Sequence, residues 1–279
     1  MAGNETPLVP SAFGLGTTGF WSGANAGLAA CIREAAERFG ISVIDTAELY
    51  GGGRSETALG QAIRGMKRGK LFLVDKILPE NATETRFTKS LHASLQRLGT
   101  DYIDLYLLHW RAGAELSFLV PAMENAVREG LIRHWGVSNF DTGDMNDLLA
   151  VEGGQNCFCN QVFYNVYERG CEFALLPLMR AQGTLPMSYS SLGSDYHPHP
   201  DIHKNRAVMA LCREAGIAPE ALMLRWNAAR GFCALFSTSS LTHLRENLRP
   251  VPEEVLLRFE AIIDREFPPP TEEYPLVKI

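Results

Sequence analysis

The 279-residue chain carries 26 basic and 32 acidic residues, a net charge of −6, with 46% hydrophobic and 21% charged residues. This is ordinary globular usage and excludes a disordered chain, a collagen and a coiled coil; no apolar run approaches the ~18 residues that span a bilayer, and scattered basic residues under a negative total argue against nucleic-acid binding. Residues 1–10 show neither the basic nor the apolar region of a secretory signal, and six cysteines are too sparse for a disulfide scaffold, so reduced thiols in a cytoplasmic protein are expected.

In chain order, β-type runs alternate with stretches of helical spacing. The runs are 12–16, 42–45, 71–76, 103–109, 132–138, 158–163, 184–189 and 233–236. The helical stretches are 27–38, 56–64, 83–98, 117–129, 141–150, 171–182, 204–215, 219–229, 241–247 and 253–266. Gly40, Gly99 and Gly130 stand where C-caps are wanted. Asp141 is a good N-cap, and Pro219 suits a first turn. Eight strand–helix units of this size predict an α/β fold, a (β/α)8 TIM barrel in a single domain over residues 1–279. The rival is an open doubly-wound sheet. Gly14, Gly16 and Gly19 satisfy its G-x-G-x-x-G pattern, but no helix follows until about Gly27.

In a barrel the chemistry sits at the C-terminal strand ends. There this chain places Thr17, Asp45, Lys76, His109, Ser138-Asn139, Gln161, Tyr189 and Ser237-Thr238. Singly, each has a bland reading: a cap, a solvated lysine, a core histidine. Together they converge on one pocket. A buried lysine beside an aspartate stays charged, and a tyrosine hydroxyl near that ammonium is expected to fall from ~10 toward neutrality. Tyr50, five residues beyond Asp45 and next to Gly51-Gly52-Gly53, can fold over the mouth and act as general acid. His109 can donate a hydrogen bond to a carbonyl from the other side.

Asp45-Thr46-Ala47-Glu48-Leu49-Tyr50-Gly51 resembles the D-T-A-x-x-Y-G signature of the aldo-keto reductases. Leu107-Leu108-His109-Trp110, Gly136-Val137-Ser138-Asn139-Phe140, Asn160-Gln161-Val162 and Ser188-Tyr189-Ser190-Ser191-Leu192-Gly193 match further family segments in order, over about Phe13 to Asn247. The closest likeness is to bacterial members that reduce methylglyoxal and other aldehydes. The resemblance implies NADPH, with NADH possible, and hydride transfer to small aldehydes or ketones. It implies Tyr50 as proton donor, Lys76 and Asp45 as its activating pair, and His109 orienting the carbonyl. Ser138, Asn139 and Gln161 would grip the nicotinamide carboxamide, and Tyr189 would stack on its ring. Ser190, Leu192, Thr238, Ser239, His243, Glu246 and Asn247 would line the rest of the cofactor site. Trp110 and Trp21 would wall the substrate pocket.

The segment 236–247 lacks the lysine that many members set against the 2′-phosphate, so discrimination for NADPH over NADH should be weak unless Arg245 compensates. Ser191 stands where proline is usual. Asp75 stands where a small hydroxyl is common, and strand alternation points it away from the Lys76 side. The termini leave little for a floor hairpin or a long tail, so an open substrate pocket is expected. His197-Pro198-His199-Pro200 with His203 lacks an accompanying carboxylate or cysteine pattern and reads as a surface loop, with no metal. No partner-binding extension is visible, and a monomer or weak dimer is expected. The alternative from another class is an NADP(H)-binding sensor on the same fold with little turnover.

Overall fold

In the computed structural model, which describes residues 10–22, 25–194 and 198–278, eight parallel strands close into a barrel in sequential order. They are β1 (Phe13–Gly16), β2 (Val43–Asp45), β3 (Phe72–Ile77), β4 (Ile103–Leu108), β5 (Ile132–Ser138), β6 (Cys159–Phe163), β7 (Leu185–Tyr189) and β8 (Cys233–Phe236). The helices are α1 (Asn25–Arg38), α2 (Arg54–Ala62), α3 (Phe87–Leu98), α4 (Leu116–Arg128), α5 (Thr142–Leu149), α6 (Leu175–Gln182), α7 (Arg206–Ala215), α8 (Pro219–Ala229), α9 (Leu241–Asn247) and α10 (Glu253–Glu266). The gap after β1 is filled by a 3-10 turn over Thr18–Ser22, so the early glycines do not open a dinucleotide-binding helix.

Two helix starts differ from the sequence expectation by four residues, the others by no more than two. α3 begins at Phe87 rather than residue 83, because residues 84–86 form a turn. α6 begins at Leu175 rather than residue 171: the Arg169 guanidinium takes both oxygens of Glu172, at 3.0 and 2.9 Å, across a separate 3-10 turn at Gly170–Glu172.

Strand alternation divides the core in two. Val43, Phe72, Val74, Leu105, Leu107, Cys159, Met187, Cys233 and Leu235 fill the barrel interior. Their outward neighbours, such as Ile44, Leu73, Tyr106, Leu108 and Val162, pack against the helices. The same parity places Asp45 after Val43, Lys76 after Val74, Gln161 after Cys159 and Tyr189 after Met187, all inward at the C-terminal rim. Asp75 takes the outward parity, as its position in the sequence implies. Gly60 brings α2 against the end of α3: a Cβ there would stand 2.6 Å from the Leu98 carbonyl oxygen.

Among the described residues, no helix is long and apolar enough to cross a membrane. All six cysteines are free and buried.

Candidate active site

Lys76 is the centre of the rim. Its Nζ donates to Asp45 Oδ1 at 2.6 Å, to the Thr46 carbonyl at 2.9 Å and to Tyr50 Oη at 3.2 Å. Three bonds exhaust an ammonium's donors, so the group is fixed. The second Asp45 oxygen accepts from Gln161 Nε2 at 2.8 Å. Tyr50 arrives on the turn after β2; its carbonyl accepts from the Ser55 amide at 3.2 Å, and Ser55 Oγ bonds the Thr17 carbonyl at 2.8 Å. His109 closes the group from β4, its ring edge-on to Tyr50 with centroids 5.9 Å apart. Trp110 packs on His109 with ring centroids 4.8 Å apart.

Burial would discharge Lys76, but the charge of Asp45, with the contacts to Tyr50, outweighs it and holds the ammonium above its ordinary value. His109 is driven down to about 3, first by burial and then by the Lys76 charge. It is a neutral imidazole at any working pH. Its Nδ1 is buried without a partner, which favours the tautomer carrying the proton on Nε2. Tyr50 departs from expectation. Desolvation of its hydroxyl raises the phenol, and the Lys76 charge opposes this without cancelling it. The phenol is thus a firmly held proton beside a fixed ammonium, not a half-ionised group.

Above these residues lies a cavity of about 800 Å³ lined by Tyr50, His109, Trp110, Ser138, Asn139, Gln161, Tyr189 and Ser190, among others. A groove of about 450 Å³ adjoins it and shares Tyr50, Tyr189 and Ser190; Leu192, Gly193 and Ser237 also line it. Ala112, Asn139 and Ser190 are the non-glycine residues with positive φ among the described residues, at 38°, 60° and 52°, and all three line the cavity. Such conformations cost energy and persist where surrounding structure enforces them. Asn139 shows how. Its Nδ2 donates to the His109 carbonyl at 3.1 Å, and its Oδ1 accepts from Tyr189 Oη at 2.7 Å. Ser138 Oγ donates to the Gln161 carbonyl at 2.9 Å. One anchored aromatic face bordered by uncharged amides and a hydroxyl fits a flat ring bearing a carboxamide. Ser191, in place of proline, forms a buried knot under the groove with Ser188 Oγ at 2.9 Å.

Not every expected residue meets the cavity. Thr238, Ser239, His243, Glu246 and Asn247 lie on the segment from β8 through α9, outside the linings of cavity and groove. Thr238 Oγ1 accepts from the Ser240 amide, and Asn247 is buried. Arg245, the candidate to compensate for the missing lysine, turns to α1 and binds both oxygens of Glu34, at 2.6 and 3.0 Å. The side chain of Trp21 and residues 1–9 lie outside the described residues. So does His197; His199 meets the Ser194 amide and stacks on Tyr167, and His203 meets Glu220 at 2.9 Å.

The tail returns to the rim, where Lys278 lines the cavity and pairs with Asp141 and Asp144 at 3.3 and 3.1 Å. Arg111 lines the same wall and pairs with Asp144 and Asp147. Sequence reading missed Lys278 because a lone lysine near a chain end carries no local signal of where it docks. Thr18 and Leu49 were missed as lining residues because neither belongs to a chemically distinctive pattern, whereas Ala112 lies in the loop 111–116 expected to shape the pocket.

Comparison with known proteins agrees with this geometry. The pattern of the aldo/keto reductase family matches residues 12–263. Methylglyoxal reductase YeaE of Escherichia coli K12 is 37% identical over 232 residues, 83% of this chain and 81% of that protein. Methylglyoxal reductase DkgB of Escherichia coli O157:H7 is 30% identical over 215 residues, 75% of this chain and 77% of that one. An aldo/keto reductase from Klebsiella pneumoniae, crystallised with NADP and acetate, matches with a TM-score of 0.89 at 35% identity, over 97% of this chain and 96% of that chain.

Proposed function

The chain belongs to the aldo/keto reductase family, and from that membership we propose that it reduces small aldehydes and ketones to alcohols with NADPH, methylglyoxal among them. It is an NADP(H)-dependent carbonyl reductase. The observation that carries the catalytic assignment is the contact of one buried ammonium, Lys76 Nζ, with both Asp45 Oδ1 and Tyr50 Oη, at 2.6 and 3.2 Å.

When bound, NADPH supplies the hydride that the carbonyl carbon receives. The residues of the chain supply the rest. Neutral His109 donates a hydrogen bond to the carbonyl oxygen and orients it. Tyr50 keeps its proton until that oxygen gains alkoxide basicity, then delivers it. Lys76 stabilises the phenolate left behind, and Asp45 keeps Lys76 charged and in place. Ser138, Asn139 and Gln161 hold the carboxamide, Tyr189 supports the ring, and Ser190 and Leu192 flank the groove. Thr238, Ser239, His243, Glu246 and Asn247 take the adenosine end, and Trp110 with Trp21 walls the substrate. The enzyme acts in the cytoplasm as a monomer or weak dimer, without a nucleic-acid partner.

The test is loss of reduced-nicotinamide absorbance with methylglyoxal and an aromatic aldehyde, for wild type and Tyr50→Phe. Turnover that collapses in Tyr50→Phe supports the reading. Tight NADPH binding without consumption on any carbonyl overturns it in favour of a sensor.

A further inference from the structure

On the outer face of the strand that carries Lys76, three acids are buried: Glu48 after β2, Glu56 in α2 and Asp75 in β3. Two are fully furnished with donors. Glu48 accepts from the Leu78 amide at 2.6 Å, from Asn81 Nδ2 at 3.0 Å and from the Ser90 hydroxyl. Glu56 takes the Arg97 guanidinium on both oxygens, at 2.6 and 3.0 Å. Asp75 differs. Its Oδ1 accepts the Lys76 amide at 2.9 Å. Its Oδ2 is buried with no donor, and the charge of the buried Glu56 carboxyl adds to burial in raising Asp75.

The charged and titratable groups around Asp75 are Lys76 on its own strand, Glu56 from α2, Arg97 from α3, Glu48 from the β2–α2 segment and Tyr106 from β4, the register partner of Asp75. The Lys76 ammonium is spent on the inner face, on Asp45. Arg97 therefore faces three acids. Two adjoining buried carboxyl groups with one cation between them retain a proton, because both cannot ionise at low dielectric. A proton on Oδ2 also turns an orphaned acceptor into a donor.

We propose that Asp75 is a positioning residue that works uncharged: its protonated Oδ2 donates to Glu56 while its Oδ1 accepts the Lys76 amide, so that it ties the lysine strand to α2 without placing a negative charge behind the active site. Burial, and then the Glu56 charge, hold Asp75 well above the usual carboxylate range. The tie reaches the acid as well, since Ser55, next to Glu56, donates its amide to the Tyr50 carbonyl. A charge on Asp75 acts to raise the Tyr50 phenol. This last consequence rests on the catalytic roles proposed for Tyr50 and Lys76; the protonation does not.

The protonation is read directly in the infrared difference spectrum between wild type and Asp75→Asn at neutral pH. The expected result is a protonated-carboxyl carbonyl band in wild type, deuterium-sensitive and absent from the variant. Urea titration gives the second reading. The unfolded aspartate ionises near ~4 while the folded one keeps its proton, so above that pH the wild-type folding constant falls by up to ~10-fold per pH unit relative to Asp75→Asn. No band and no difference in slope overturn the proposal. Glu56→Gln, which removes the like charge and offers a donor, is expected to abolish the band and shift upward the phenol limb of the kcat profile for alcohol oxidation. Loss of the band with an unmoved limb overturns the positioning role. Both the spectrum and the folding slope remain readable in a chain that reduces no carbonyl.

Discussion

Gln161 Nε2 donates to Asp45 Oδ2 at 2.8 Å across 116 residues of chain. A side chain expected to grip the cofactor is thus also a structural support of the buried Asp45 carboxylate. Removing it as Gln161→Leu leaves a buried carboxylate oxygen without its donor, a loss of about 1–3 kcal/mol. The prediction is lower stability in urea with no cofactor present, together with weaker NADPH binding. A residue that only touched the nicotinamide would leave the cofactor-free stability unchanged.

Asp45 and Lys76 form a buried ion pair, each side chain at most 5% exposed. Breaking such a pair from one side leaves an uncompensated buried charge, typically about 3–5 kcal/mol. Lys76→Met and Asp45→Asn should each destabilise strongly, and the double variant should recover part of the loss. All three should lose turnover. A double variant as unstable as the sum of the singles would show that the pair is not energetically coupled.

How much of this was legible follows from where each residue gets its information. Asp45, Lys76 and His109 sit at the ends of apolar strands, and the period of two fixes which way they face. The outward direction of Asp75 was legible by the same parity. Its partner was not, because Glu56 reaches it through the packing of α2 on the barrel, which no local pattern encodes. Tyr50 was legible as a hydroxyl brought over the barrel mouth near Lys76, but the direction of its shift was not, since that depends on a balance between desolvation and the Lys76 charge. The helix starts at Phe87 and Leu175 were misplaced because turns that precede a helix can share its apolar spacing.

His109 couples stability to pH. Its folded value is about 3, while an unfolded histidine titrates near ~6.5. Between these limits the unfolded chain binds more protons, so this contribution is full above ~6.5 and is lost as pH falls, at up to about 1.4 kcal/mol per pH unit. It opposes the Asp75 contribution, which weakens the fold as pH rises, so each must be read by comparing its own variant with wild type. His109→Gln should flatten the acid-side loss measured by urea unfolding. An unchanged slope would mean that the imidazole is charged in the folded protein.

Arg245 is held by Glu34, and Glu34 also meets Arg38 at 3.2 Å. With the arginine engaged and no lysine on the β8–α9 segment, NADH should support turnover with modest loss. Glu34→Gln should free Arg245 and raise the NADPH to NADH ratio of kcat/KM by roughly two- to fivefold, the worth of an exposed charge contact. A ratio that does not move would place Arg245 away from the 2′-phosphate.

Lys278 binds the tail to the first turn of α5 through Asp141 and Asp144, and Tyr274 adds a second tie to Glu168 at 3.0 Å. Asp141 and Asp144 also cap that helix reciprocally, so Lys278 docks on a rigid feature. The tail therefore serves as a cavity wall fixed by half-exposed ion pairs, which salt screens. Raising ionic strength should raise KM for small aldehydes in wild type. Lys278→Met should begin with a raised KM and respond less to salt, with the change falling on KM more than on kcat because the tetrad below is untouched. Equal salt responses in both proteins would show that the tail does not wall the bound substrate.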